Sequence, residues 1–134
     1  MTTTHLEQEN IVLVRRGFEA FARVDTAALD ELFPAKATWH LQPCGIIAGN
    51  YKGKDENFAF FALLGKETDG TFRIVPPAMA AEKNRVLVGC THGATRHGHS
   101  IELRNVLVFA MSDGHVRNVG DYYFDFPKAE KFWR

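Results

Sequence analysis

Residues 85–124 read RVLVGCTHGATRHGHSIELRNVLVFAMSDGHVRNVGDYYF, and this stretch decides the fold. Two polar-plus-glycine pairs, His97-Gly98 and Asp113-Gly114, have the chemistry of tight hairpin turns. They divide the stretch into three long strands: Arg85 to Thr95, Ser100 to Met111 and His115 to Phe124. A two-residue turn at His97-Gly98 pairs Arg96 with His99. It sets Val86, Val88, Cys90, His92 and Ala94 against Ile101, Leu103, Leu107, Phe109 and Met111, so two apolar faces meet. A three-residue loop at Ser112-Asp113-Gly114 pairs Met111 with His115, placing Asn105 opposite Asp121 and Leu103 opposite Tyr123. A two-residue turn there would instead put Tyr122 opposite Asn105 and send Asp121 to the other face. The first register is preferred.

Upstream the pattern changes from period two to period 3.6. Ile11, Val14, Phe18, Phe21 and Ala22 predict an amphipathic helix of about fifteen residues. Asp25 reads as the N-cap of a short second helix that Pro34 stops. Lys36 to Gln42 alternates around Trp39 as a strand, and Pro43, Gly45, Gly49 and Asn50 form a loop. A third helix runs from about Lys54 to Leu64, with Phe58 and Phe61 on one side and Gly65 near its end. Thr71 to Val75 is a short strand broken by Pro76 and Pro77. Helices first and a long antiparallel meander last is an α+β order rather than a doubly wound one.

The chain of 134 residues has the size of one domain, 1–134, with no linker or repeat. Sixteen basic residues balance sixteen acidic ones, which leaves no electrostatic footprint for nucleic acid or an anionic membrane. No run approaches the ~18 apolar residues of a membrane span. The start, Met1 to Glu9, is too polar for a signal peptide. Cys44 and Cys90 follow no disulfide framework, so a reduced, cytoplasmic protein is expected. Eleven phenylalanines against three tyrosines and two tryptophans suit a very apolar core or a pocket for an apolar ligand.

The apolar sheet face is interrupted by Cys90, Asn105 and Asp121 in one row, and by His92 and Tyr123 in the next. Opposed side chains have Cβ atoms ~5 Å apart, within hydrogen-bond reach for Asn105 and Asp121. His92 lies two strands away and one row along, ~10 Å or more from Asp121 by strand spacing, so the two would grip a ligand from two sides. A carboxylate on an apolar face must be paired, carry a raised pKa, or meet water in a cavity. A raised pKa is what a general base or acid near neutral pH needs. Two readings stay open. Asp121 serves proton transfer in a pocket, or it is satisfied structurally by Asn105 or by an open sheet end.

The remaining polar candidates carry less. His97 and His99 sit at a turn on the face opposite His92, where a solvated turn outweighs a metal set, which needs converging ligands. His40 lines the pocket if its face is inward and is ordinary surface otherwise. Cys90 reads as packing rather than a nucleophile, because no base accompanies it. Trp39, Phe58 and Phe61 are core, pocket lining, or both. No phosphate loop, zinc spacing or nucleotide motif is present.

Several phrases in order resemble the nuclear transport factor 2-like superfamily, and within it the SnoaL-like and ketosteroid-isomerase-like proteins. They are Ala37-Thr38-Trp39-His40 with Pro43 and Gly45 following, Gly49-Asn50-Tyr51-Lys52-Gly53, and Gly70-Thr71-Phe72. Val106-Leu107-Val108-Phe109, Asp113-Gly114-His115-Val116, Asp121-Tyr122-Tyr123-Phe124-Asp125 and Phe132-Trp133 complete the set. The resemblance implies a cone-shaped curved antiparallel sheet wrapped around N-terminal helices, a cystatin-like α+β barrel, with a pocket between sheet and helices. It places Asp121 where the cyclases and epoxide-hydrolase-like enzymes carry an acid–base aspartate. Asn105 falls near the protonated aspartate of the isomerases. The chain departs from those enzymes at Phe18, in place of a catalytic tyrosine, and at Leu41, in place of a base. Cys90 and His92 stand where the epoxide hydrolases have an arginine and a second aspartate.

The expected function is therefore a small-molecule pocket, acting on an apolar oxygenated ligand by isomerase, cyclase or hydrolase-like acid–base chemistry. Asp121, His92 and Asn105 would be its catalytic groups. Tyr123, Cys90, Leu103, Phe18, Trp39, His40, Phe58 and Phe61 would line it. No cofactor and no metal are implied. The alternatives are a non-catalytic binding or sensing module and a dimerisation scaffold. The resemblance implies a homodimer through the outer sheet face bearing Arg104, Val106 and Val108.

Overall fold

The computed structural model describes residues 4–42 and 44–134. Met1 to Thr3, and Pro43 of the expected loop, lie outside the described residues. The first helix, α1 (His5–Arg23), starts where Thr4 caps it reciprocally with Glu7 and stops at Val24, whose backbone is left-handed. Asp25 then caps α2 (Thr26–Leu32), accepting from the Ala28 N–H at 3.2 Å, as its residue type predicts. The order continues with β1 (Thr38–Leu41), a 3-10 turn (Gly45–Ile47), β2 (Gly49–Lys52) and α3 (Gly53–Glu67). It closes with β3 (Arg73–Glu82), β4 (Arg85–Arg96), β5 (His99–Ser112), β6 (His115–Tyr123) and α4 (Phe126–Trp133).

The strands form one curved sheet in the order β2-β1-β6-β5-β4-β3. Every neighbouring pair is antiparallel except β1 and β6, which run parallel. The edge strands β2 and β3 do not pair, so the expected α+β cone is present as an open sheet and not a closed barrel. Helix α1 packs against β3 and β4, α2 against β6, and α3 against β1 and β2. The core is aromatic around Trp39, whose indole meets Phe60, Phe61 and Phe109 with ring centroids 5.6, 5.4 and 6.1 Å away. Such pairs add ~0.5–1.5 kcal/mol each beyond their burial.

Several boundaries differ from the sequence reading, each for a local reason. Gly49 and Asn50 belong to strand β2, paired with β1, rather than to a loop. Helix α3 passes through Gly65, which costs it ~1 kcal/mol of propensity without stopping it. Pro76 and Pro77 do not end β3. The strand steps irregularly between Val75 and Ala78 and continues to Glu82, which an edge strand tolerates because one side has no ladder to lose. Helix α4 was not anticipated, although Asp125 caps it and Pro127 lies in its first turn. Its end is seated on Gly45 (φ 56°), where a Cβ would lie 2.2 Å from the Trp133 carbonyl oxygen. Buried Arg96 holds the same end, donating to the Phe132 and Arg134 carbonyls at 2.9 Å and pairing with Glu67 at 3.2 Å.

The first hairpin has the expected register, Arg96 with His99 and Cys90 with Asn105. The second does not. Its turn is the two-residue Asp113-Gly114, both left-handed, with Ser112 opposite His115 and Met111 opposite Val116. A bulge at Arg117 then shifts the ladder, so Phe109 faces Val119, Leu107 faces Asp121 and Asn105 faces Tyr123. Two consecutive residues, Arg117 and Asn118, point outward, which returns Asp121 to the inner face despite the shorter turn.

Candidate active site: a buried carboxylate in an aromatic cavity

The inner sheet face, α1, α2 and α3 enclose a cavity of about 70 Å³. That is room for roughly five waters at the ~10–15 Å³ each occupies by this measure. Phe18 and Phe21 of α1, Phe33 after α2, and Phe60 and Phe61 of α3 meet Phe72, just ahead of β3, and Phe109 of β5 around it. Its polar lining is a single cluster: Asp121, Asn105, His92, Tyr123 and Cys90. Among the described residues, Asp121 is its one formally charged side chain at neutral pH.

Asp121 is 5% exposed. Its Oδ2 accepts from the Trp39 indole Nε1–H at 3.1 Å, and its Oδ1 accepts from the Asn105 amide at 2.8 Å. Burial pushes its pKa up from 3.8 to about 6, and the two donors restrain the rise. Trp39 reaches Asp121 because β1 lies beside β6 with Leu41 level with Asp121. Asn105 reaches it diagonally, from two rows along rather than from directly opposite. Donation to the carboxylate fixes the amide orientation and leaves Asn105 Oδ1 buried without a protein partner among the described residues.

His92 is 2% exposed, and its ring lies 4.9 Å from that of Phe72 and 5.6 Å from that of Tyr123. Burial lowers its pKa from 6.5 to about 4; the nearby Asn105 side chain slightly favours the charged form, although no hydrogen bond of ordinary geometry joins the two. Its Nε2 also has no protein partner among the described residues. At neutral pH the site therefore combines an ionised carboxylate with a neutral imidazole. Burial holds the Tyr123 phenol well above its usual range, and Asp121 adds to this. Cys90 is pushed up to about 12, chiefly by burial, so it is a thiol here and a poor nucleophile.

Of the other residues picked from the sequence, Phe18, Trp39 and Phe61 line the cavity. Phe58 does not; it borders an outer groove of about 760 Å³ that shares Phe18, Phe21, Leu29, Phe61, Phe72 and Ile74 with the cavity. Leu103, level with His92, is buried but does not reach the cavity. His40 is on the outer face, exposed and hydrogen-bonded to Asn50, because alternation along β1 turns Trp39 and Leu41 inward. Phe33, Phe72 and the Trp39–Asp121 bond were missed. A buried indole needs an acceptor, but nothing local to Trp39 names one 82 positions away. Among the described residues, no three His, Cys, Asp or Glu side chains gather as metal ligands, and no helix is long and apolar enough to cross a membrane.

A family model described as the SnoaL-like domain matches residues 14–119, which takes in both Trp39 and Asn105 and ends two residues before Asp121. The chain belongs to the SnoaL-like family. Among solved structures, Bal32a from a soil-derived mobile gene cassette is 33% identical and superposes with a TM-score of 0.93, over 97% of this chain and all of that one. The uncharacterised protein Rv0034 of Mycobacterium tuberculosis (strain H37Rv) is 25% identical over 128 residues, 95% of this chain and 98% of its own. A putative SnoaL-like polyketide cyclase from Jannaschia sp. CCS1 shares only the fold, at 15% identity and a TM-score of 0.84, over 99% of this chain and 96% of its own. The SnoaL-like assignment carries the expected architecture, called cystatin-like or NTF2-like in related structures.

Proposed function

We propose that this SnoaL-like protein is a cofactor-independent acid–base enzyme acting on a small, apolar, oxygenated molecule. The observation that carries the reading is Asp121, a carboxylate buried in an aromatic cavity with its pKa raised to about 6. A base poised just below neutral pH is ionised when resting and returns its proton readily. The carboxylate takes a proton from the carbon beside a carbonyl of the ligand, the electron pair moves onto the carbonyl oxygen, and the proton returns at another position, so no proton is lost overall. Neutral His92 faces the ligand's oxygen from the other side. This is isomerase or cyclase-like chemistry, and the Jannaschia protein is named as a putative cyclase.

The test is carbon-bound proton exchange in D2O, followed by NMR on enolisable cyclic ketones such as 2-tetralone. Wild type should accelerate exchange and Asp121→Asn should not. One observation favours a second reading: both Asp121 oxygens already accept a hydrogen bond, as a purely structural carboxylate would. Ligand binding without accelerated exchange in wild type would assign the pocket to binding or sensing.

Two copies of the chain are proposed to pair through the outer sheet face. Val106 and Val108 are half-buried there beside exposed Leu87, Val75 and Tyr122, with the Arg104 guanidinium over the exposed Phe124 ring at 5.8 Å. Contiguous apolar surface of this kind marks an interaction site. A single monomeric boundary in sedimentation at micromolar concentration would refute the pairing.

A further inference from the structure

The cavity of about 70 Å³, with room for roughly five waters, matches about five non-hydrogen atoms of a ligand: a carbonyl and its nearest carbons. Beyond it lies the groove of about 760 Å³. Phe18, Phe21, Leu29, Phe61, Phe72 and Ile74 line both, so a single layer of side chains parts the two. Phe21 is the member of that layer placed to yield. It stands in the last turn of α1, three residues before the left-handed Val24. Its ring meets Phe61 of α3 at 5.5 Å and Phe72 at 6.1 Å, edge-on to each, and so bridges α1 to the opposite wall. All three rings are half-buried. By contrast Phe33, Phe60 and Phe109, which line the cavity but not the groove, are each 3% exposed.

We infer that the substrate is a ketone carried on an apolar tail longer than the cavity, and that Phe21 is the residue that sets its specificity. The carbonyl lies inside, with Asp121, and the tail passes Phe21 into the groove. This names the substrate class of the active site proposed above and rests on that reading. As the Phe21 ring turns aside, the tail takes its place against Phe61 and Phe72, so apolar surface replaces apolar surface. Ala22, Phe58 and Ala62 continue the apolar lining outward. The charged members of the groove do not oppose this: Arg15 and Glu19 are exposed, and the Arg73 guanidinium lies against Gly93. The polar cluster around Asp121 lines the cavity and not the groove, which fixes the direction in which such a molecule enters. Full burial of a methylene is a factor of about four in affinity, so a groove open on one side should give about twofold for each carbon added.

A series of 2-alkanones tests this without any substitution: 2-butanone, 2-pentanone, 2-heptanone and 2-nonanone, each titrated into 15N-labelled protein at pH 7.5, with deuterium exchange beside the carbonyl followed in parallel. Affinity should rise throughout, by at least tenfold from 2-pentanone to 2-nonanone. Phe21→Trp, which thickens the layer, should lower the ratio of 2-nonanone to 2-butanone affinity at least fivefold. Phe58→Ala, which trims the groove, should lower the same ratio at least threefold. Affinity that levels off at 2-pentanone while exchange is still accelerated overturns this inference and leaves the catalytic reading standing. Affinity that climbs along the series while no ketone exchanges overturns the catalytic reading and supports the path of the tail. A ratio unchanged in Phe21→Trp overturns the assignment to Phe21, and one unchanged in Phe58→Ala overturns the path through the groove. Failure of all four ketones to bind overturns the inference together with the pocket reading.

Discussion

Replacing Asp121 with Asn should make the protein more stable at neutral pH and leave it nearly unchanged in acid. The carboxyl is moved from an ordinary value of 3.8 to about 6 in the folded chain. At ~1.4 kcal/mol per pKa unit, that is about 3 kcal/mol. Because the folded value is the higher one, the native state binds the proton more tightly than the unfolded chain. Its contribution is fully present below pH ~4 and is lost as pH rises through about 6. An ionised Asp121 at pH 7.5 therefore costs about 3 kcal/mol relative to the protonated group. The new amide removes that cost and keeps the bonding: its oxygen accepts from Trp39, and Asn105 can turn its free Oδ1 to receive the new N–H. The expected gain is about 2–3 kcal/mol at pH 7.5, shrinking to within ~1 kcal/mol at pH 4. Urea denaturation followed by far-ultraviolet circular dichroism at several pH values reads this directly. A variant that loses more than ~2 kcal/mol at pH 7.5, or whose difference from wild type does not change with pH, would refute the account and make Asp121 a structural group.

His92 should show the opposite dependence. Its folded value is lowered to about 4, so its contribution is present above pH ~6.5 and lost as pH falls; His92→Phe should gain ~3 kcal/mol on wild type between pH 7 and pH 4, measured by the same denaturation series. Trp39→Phe deletes one of the two donors to Asp121, so the carboxyl should titrate above about 6; a carboxyl 13C titration unchanged from wild type would show that the indole bond is absent in solution. Arg96→Met leaves Glu67 and the Phe132 and Arg134 carbonyls without their donor. It should cost ~2 kcal/mol and raise amide exchange in α4 well before α1.

The sheet was legible because its signals are local. His97-Gly98 announced its own turn, and the alternation on either side left one way to join the apolar faces. The helices of the N-terminal half were equally local, α1 and α3 marked by their period and α2 by its Asp25 cap. What escaped was non-local or lay in a broken period. Trp39 meets Asp121 only through a parallel pairing of β1 with β6, which no hairpin rule predicts. The Arg117 bulge did leave a trace: Val116 and Val119 stand three apart, and a regular strand cannot turn both inward. The expected three-residue loop absorbed that irregularity in the wrong place. It named the right face for Asp121 while placing it two residues out of register. The pocket's polar members were thus readable from which face they share, but which of them touch depended on pairings that the chain states only after folding.

The bulge has a consequence for how this sheet tolerates change in length. Ala110 with Asn118 on one side, and Met111 with Val116 on the other, keep their faces whether or not Arg117 is there. Deleting Arg117 would regularise the ribbon and leave Asp121 where it is. A one-residue deletion at Gly120 would instead invert part of the strand, carrying either Asp121 and Tyr123 to the outer surface or Val119 out of the core. The outer tip of this hairpin is therefore free to lengthen or shorten over generations, while the four steps from Val119 to Tyr123 are fixed in number.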